Sequence, residues 1–368
     1  MKFGETLLGG RKAWKLDNGA ATLVMLAGGG HIASLTLNEK PAVNPLWVPV
    51  WKPVEPWQYA AKHAKTHTSK LLGAIAGHNV CLGWFGEPSP EEAAAGMECH
   101  GEAPVAKWRL VRKALSGGVM TVETECELPV VGMVLKRTIS TQTGKQDFHV
   151  TDTVRNVSQR DIPFTICEHV TFGPPFLQKG ETVFDMPAVQ SHTFRGQFSD
   201  KQRLRPNAPF AWPRGPGRHG EMVDMRTIGN SYGASSDFST QLIDPKRPDG
   251  WFTAVNAELG VLVAYTWRRK DFPWVGNWEE NYGRKTRPWG GRSLARGMEF
   301  ANSPFPVGLR KATEMAHFQG HPTFRWVPAL TSIDFSFDIV ITPVAEEVKG
   351  VKDMYRTSTG FAFDFITG

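Results

Sequence analysis

The sequence predicts an all-β protein, one large antiparallel β-sandwich spanning residues 1–368 with a few short helices. Three observations carry that prediction. Alternation of apolar and polar residues recurs along the chain, most strictly in Ile333-Asp334-Phe335-Ser336-Phe337-Asp338-Ile339. Helix signals are few and short. No strand–helix alternation, glycine-rich phosphate loop or repeat of roughly 20–50 residues is present, which sets aside Rossmann, barrel and solenoid architectures.

The elements follow in order. Ala21 to Leu26 and Ile32 to Leu37 flank Gly28-Gly29-Gly30 and read as a hairpin. Tyr59 to Ile75 reads as helical. Ser89-Pro90-Glu91-Glu92 is a capping box that opens a short helix through Ala93-Ala94-Ala95, ended by Gly96. Strands rich in Val, Thr and Phe are expected at Val119 to Leu128, Met133 to Ile139, Phe148 to Val157, Phe252 to Val255 and Val261 to Trp267. Glu346 to Tyr355 carries a helical pattern. Three irregular segments, 44–57, 194–218 and 272–308, are long enough to be functional or to pack over a sheet.

Composition narrows the function classes. Glycine and proline, 37 and 26 of 368 residues, fall short of a low-complexity chain. The net charge is +6, but basic residues are dispersed among acids, so a nucleic-acid binder is not indicated. No apolar run of about 18 residues exists to form a membrane-spanning helix. Met1-Lys2-Phe3-Gly4-Glu5 lacks the apolar stretch of a signal peptide, and a cytoplasmic location is expected. Cys81, Cys99, Cys126 and Cys167 show no metal-finger spacing and are expected as free thiols. Tryptophan is the surplus: 13 residues, several beside Gly, Pro, Arg or Asn, where a cleft wall suits them.

Three polar clusters beside Gly and aromatic residues are the chemical candidates. They are Glu98-Cys99-His100-Gly101-Glu102 with Trp108, Glu168-His169-Val170-Thr171-Phe172, and Gly297-Met298-Glu299-Phe300-Ala301. A histidine titrating near neutrality and a desolvated carboxylate suit proton transfer. Taken alone, each histidine reads more readily as a satisfied structural group, and Glu299 reads at least as readily as a buried, hydrogen-bonded or ion-paired carboxylate.

The ordered set resembles the aldose 1-epimerase (galactose mutarotase-like) superfamily. The landmarks are His100-Gly101 followed by Trp108, Asn156 in a strand leading to a turn with His169, and a late Glu299. Gly29 to Ile32 resembles the family's first hairpin. The resemblance implies a β-supersandwich and a cofactor-free isomerase. It implies Glu299 as the base on the anomeric hydroxyl, His169 as the acid on the ring oxygen, and His100 binding or polarising the substrate. The turn departs from the family's usual His-Pro-Tyr-Phe or His-Ser-Tyr-Phe. The aspartate that binds sugar hydroxyls has three candidates, Asp185, Asp224 and Asp244.

The segment containing Trp274, Asn277, Trp278, Trp289 and Arg292 suits sugar recognition, with indoles stacking on a pyranose and polar groups bonding its hydroxyls. The plainer reading is a loop packed on the sandwich. The basic run from Arg284 to Arg296 raises an acidic sugar, a uronate or phosphorylated hexose, beside the reading of solvated loop charges. His63 and His67, four apart in the helical stretch, suit metal ligation or simple exposure. The expected partner is thus a sugar or sugar derivative, with neither nucleic acid nor membrane. Two other classes stay open: a non-catalytic carbohydrate-binding or sensor protein, and a polysaccharide lyase or hydrolase.

Overall fold

The alternation around Ile333 becomes the twelve-residue strand Ser332–Pro343, whose apolar side faces a second sheet. In the computed structural model, which describes residues 1–368, strands make up 51% of the chain and helices 8%. A 12-stranded sheet runs from Lys2–Leu8 at one edge through Ala21–Leu26, Ile32–Leu37, His78–Gly83, Ile162–Phe172, Leu294–Ala301, Trp274–Asn281 and Ser235–Ile243. An 8-stranded sheet packs on it and contains Asp249–Asn256, Val261–Arg268, Ser332–Pro343, Asp147–Asn156, Met133–Gln142 and Val119–Leu128. All the strand pairs flanking the site are antiparallel. Fifty buried apolar residues from both sheets form the main core. No helix is long and apolar enough to cross a membrane.

Several local expectations hold. The glycine hairpin joins Ala21–Leu26 to Ile32–Leu37, with Gly29 and Gly30 at positive φ. Ser89 caps Pro90–Ala94 and its own N–H donates to Glu92 at 2.7 Å. The helical stretch 59–75 is two short helices, Ala61–His67 and Lys70–Ala74. Thr68 at φ 58° breaks them, and Ser69 caps the second.

Two expectations are corrected. Segment 272–308 is not an irregular loop: Trp274–Asn281 and Leu294–Ala301 are adjacent central strands, buried on both faces. A strand covered on both faces has no solvent side to mark, so its polar residues fall on buried faces and the alternation that betrays a half-wet strand is absent. The helical pattern at Glu346–Tyr355 is the strand Val348–Thr357. Its pairing with Gly360–Thr367 shifts register twice, between Val348 and Gly350 and between Val351 and Asp353. Such shifts change which way successive side chains point, so Val348, Val351 and Met354, spaced by three, all reach one apolar cluster.

Candidate functional site

Successive residues of a strand face opposite sides of its sheet, and this sorts the Glu168–His169 dipeptide. Glu168 points between the sheets. There it accepts hydrogen bonds from His78 Nε2 at 2.7 Å and Arg137 Nη2 at 2.9 Å, and Arg137 also grips Asp152. All four side chains are fully buried. His169 points to the outer face, where helices and long loops cover the sheet.

On that outer face His169 lies directly across from Glu299 on one side and Asn79 on the other. His169 Nε2 and Glu299 Oε1 are 3.2 Å apart, and His169 Nδ1 is 3.1 Å from Thr171 Oγ1. The two side chains are 6% and 2% exposed. Burial pushes the Glu299 carboxyl up to about 8 and holds the His169 imidazole well below its ordinary value. Two glycines make room for the carboxylate. A Cβ on Gly297 would fall 2.3 Å from Glu299 Oε1, and one on Gly276, across from Glu299, would fall 2.7 Å from the Phe238 ring.

His100 arrives from a tight turn. Its own φ is 63°, and a Cβ on Gly101 would overlap the Leu82 carbonyl oxygen at 2.2 Å. Gly86 N–H donates to His100 Nδ1 at 3.2 Å, which leaves Nε2–H as the ring's donor. The imidazole stacks on Phe85 and meets His169 edge-on, with ring centroids 5.2 Å apart.

The three residues border one cleft of about 860 Å³. Trp278, Trp289, Phe198, Phe238, Tyr59 and Arg284 form much of its wall. Trp289 stacks on Trp47 and meets Trp51 and Trp278 edge-on, so the aromatic wall is braced from behind. The Arg284 guanidinium lies 5.2 Å from the Trp278 ring and 5.0 Å from the Trp289 ring, and Glu280 pairs with it at 3.4 Å. Trp278 Nε1 is buried without a hydrogen-bond partner inside the protein.

The remaining sequence candidates divide. Trp274 shares the face of Trp278, but its Nε1 donates to Gln319 at 3.1 Å and it does not line the cleft. Asn277 lies on the opposite face, across from the core residue Met298. Arg292 is an exposed turn residue outside the lining. Asn156 is structural: its Nδ2 donates to the carbonyls of Arg160, Val327 and Pro328. His169 stands within the strand Ile162–Phe172, not in a turn. None of Asp185, Asp224 and Asp244 borders the cleft, and Asp185 is bound to Arg226. His63 and His67 bond backbone atoms of Ala60 and Lys52.

Arg284 is the binding candidate that the sequence reading placed only within a basic run. Treating Trp274 to Asn281 as a strand would have separated Trp278 from Asn277 and drawn attention to Arg284 at its end. The thiols are free, and Cys81 faces Cys167 across two strands while Cys99 borders the cleft.

Comparison with known proteins agrees with this architecture. Residues 81–208 match the model of a domain of unknown function, DUF4432. No curated protein matches. Among solved structures, a provisionally named aldose 1-epimerase from Klebsiella pneumoniae subsp. pneumoniae superposes with a TM-score of 0.63 at 14% identity, covering 92% of this chain and 80% of that one. A galactose mutarotase-like protein from Clostridium acetobutylicum gives 0.63 at 13% identity, covering 93% and 99%. A second provisionally named aldose 1-epimerase, from Escherichia coli K12, gives 0.59 at 12% identity, covering 93% and 100%. At these identities the likeness establishes the fold, that of galactose mutarotase-like proteins.

Proposed function

We propose that this chain, on a galactose mutarotase-like fold, is a carbohydrate-active isomerase of aldose 1-epimerase type that interconverts sugar anomers. The observation that carries the reading is the His169–Glu299 pair, 3.2 Å apart at an aromatic-walled cleft with His100 against it. Anomer exchange moves one proton off the anomeric hydroxyl and one onto the ring oxygen, then reverses both moves. A pair of groups holding a single shared proton suits that cycle.

In the resting site burial keeps the proton on Glu299 and leaves His169 neutral. When the sugar binds, the proton crosses to His169 Nε2. The carboxylate then takes the proton of the anomeric hydroxyl while the imidazolium gives its proton to the ring oxygen. The ring opens, the C1–C2 bond rotates, and closure through the same steps gives the other anomer. The pair ends as it began, with no net charge created in the buried site. Thr171 Oγ1 orients the imidazole, His100 Nε2–H donates to a sugar hydroxyl, and the Arg284 guanidinium over Trp278 and Trp289 offers further donors.

Saturation-transfer NMR of anomer exchange across a panel of reducing sugars tests the reading. Exchange above the spontaneous rate that vanishes in Glu299→Gln supports it. Exchange that survives this substitution unchanged removes it.

A further inference from the structure

Beside the cleft of His169 and Glu299 lies a second one of about 500 Å³, and Lys70 and Glu98 border both. The two side chains form an ion pair 3.4 Å long and half-exposed. We propose that the two clefts form one continuous groove, and that the substrate is a neutral reducing oligosaccharide whose reducing-end ring sits at Glu299. The inference rests on the isomerase reading for the reducing-end position alone.

Size is the first argument. The main cleft approaches the upper end of the roughly 300–1,000 Å³ that drug-sized ligands fill, far more than one sugar ring needs. The second cleft extends it further. Chemistry is the next argument. The second cleft is lined by Lys70, Lys107 and Arg109 together with Glu98, Glu102, Glu125 and Glu127. Mixed carboxylates and cations bond hydroxyl groups from both sides, accepting and donating. Their near-balanced charge gives a polyanion no net attraction, which separates this groove from a uronate site.

The third argument is Trp57. It is 41% exposed, on the short turn Pro56–Gln58, with Lys107 Nζ 5.4 Å from its ring centre. Lys107 is itself a wall of the second cleft. An indole left half in water beside a hydroxyl-binding wall is a stacking surface for a sugar ring remote from the reacting one. Trp57, beside the Lys107 wall, would hold a ring of the chain remote from the one at Glu299.

Calorimetry on the inactive Glu299→Gln protein tests this with β-1,4-linked glucose and β-1,4-linked galactose series of one to four rings, and with galacturonate oligomers as the acidic counterpart. The expected result is affinity rising at least tenfold from one neutral ring to three in one of the series. Trp57→Ala and Lys107→Ala should each erase most of that rise. Anomer exchange at the reducing end of the same sugars is read on the wild-type protein. Length-dependent binding without exchange keeps the groove and removes the isomerase. Exchange without length dependence, a rise that both substitutions leave intact, tighter binding of the acidic oligomers, or no binding at all overturns the groove.

Discussion

Glu168 and His169 are neighbours in sequence and face opposite sides of the same sheet. One joins a fully buried ionic cluster with Arg137, Asp152 and His78, while the other meets Glu299 in the cleft. The strand that carries His169 is therefore anchored from behind by charge.

If Glu299 and His169 are the proton-transfer pair, neutralising either carries a kinetic signature. Glu299→Gln keeps size and burial while removing the proton site. Anomer exchange should fall by about 10²–10⁴-fold, the usual contribution of positioned acid–base groups. His169→Gln should fall comparably, and the double variant little further, because the two act as a unit. Saturation-transfer NMR reads all three. A double variant whose loss equals the product of the single losses would argue against a shared proton.

The pH profile follows from the one-proton state. Raising pH through about 8 strips Glu299 of its proton and leaves a neutral imidazole with nothing to donate. Catalysed exchange, after subtraction of the spontaneous rate, should decline above about pH 8. Below that it should stay level, since His169 gains a second proton only well below its ordinary range. Activity that climbs steadily to pH 9 and beyond contradicts the scheme.

The same carboxyl makes a stability prediction. Its folded-state value, about 8, exceeds the ordinary 4.5, so the folded protein keeps a proton that the unfolded chain releases. Below pH 4.5 both states hold it and it contributes nothing. As pH rises toward 8 it subtracts stability, up to about 3 kcal/mol by pH 7. Glu299→Gln should therefore be more stable than the wild type at pH 7 and equal to it near pH 4. Urea denaturation at both pH values decides, and equal midpoints at pH 7 would remove the assigned burial cost.

Arg137 supplies the only cation of the buried cluster and bonds both Asp152 and Glu168. Even with it, burial lifts Asp152 to about 7. Arg137→Met leaves two facing carboxyls without their partner, at a cost of about 3–5 kcal/mol. Denaturant melts should show that loss. A variant of wild-type stability would mean the cluster does not depend on its cation.

Arg284 and Arg292 separate the structural assignment from the sequence one. Arg284 borders the cleft over Trp278 and Trp289, whereas Arg292 is exposed and outside it. Arg284→Ala should weaken sugar binding about tenfold, the equivalent of one lost charged hydrogen bond with its stacking. Arg292→Ala should leave it within about twofold, a change of under 1 kcal/mol of the kind surface substitutions give. Calorimetric titration compares them directly, and the reverse order would reinstate Arg292.

The sequence by itself determined the class of fold and the half-exposed strands, because a strand with one wet face writes its period into the residues. Ser332–Pro343 and Val119–Leu128 are such strands. It also brought His100, His169 and Glu299 forward together through ordered landmarks, and the capped helix at Ser89 through local hydrogen-bonding chemistry. Only the tertiary structure decided which of the other candidates meet. Trp274–Asn281 is covered on both faces, so its polar residues mark no solvent side and do not show which residues point to the cleft. Its place in the sheet does that, putting Trp278 toward the site and Asn277 toward the core. The contact of His169 with Glu299 likewise comes from the register between two strands far apart in the chain. Register is fixed by how whole faces pack, and no local spacing contains it.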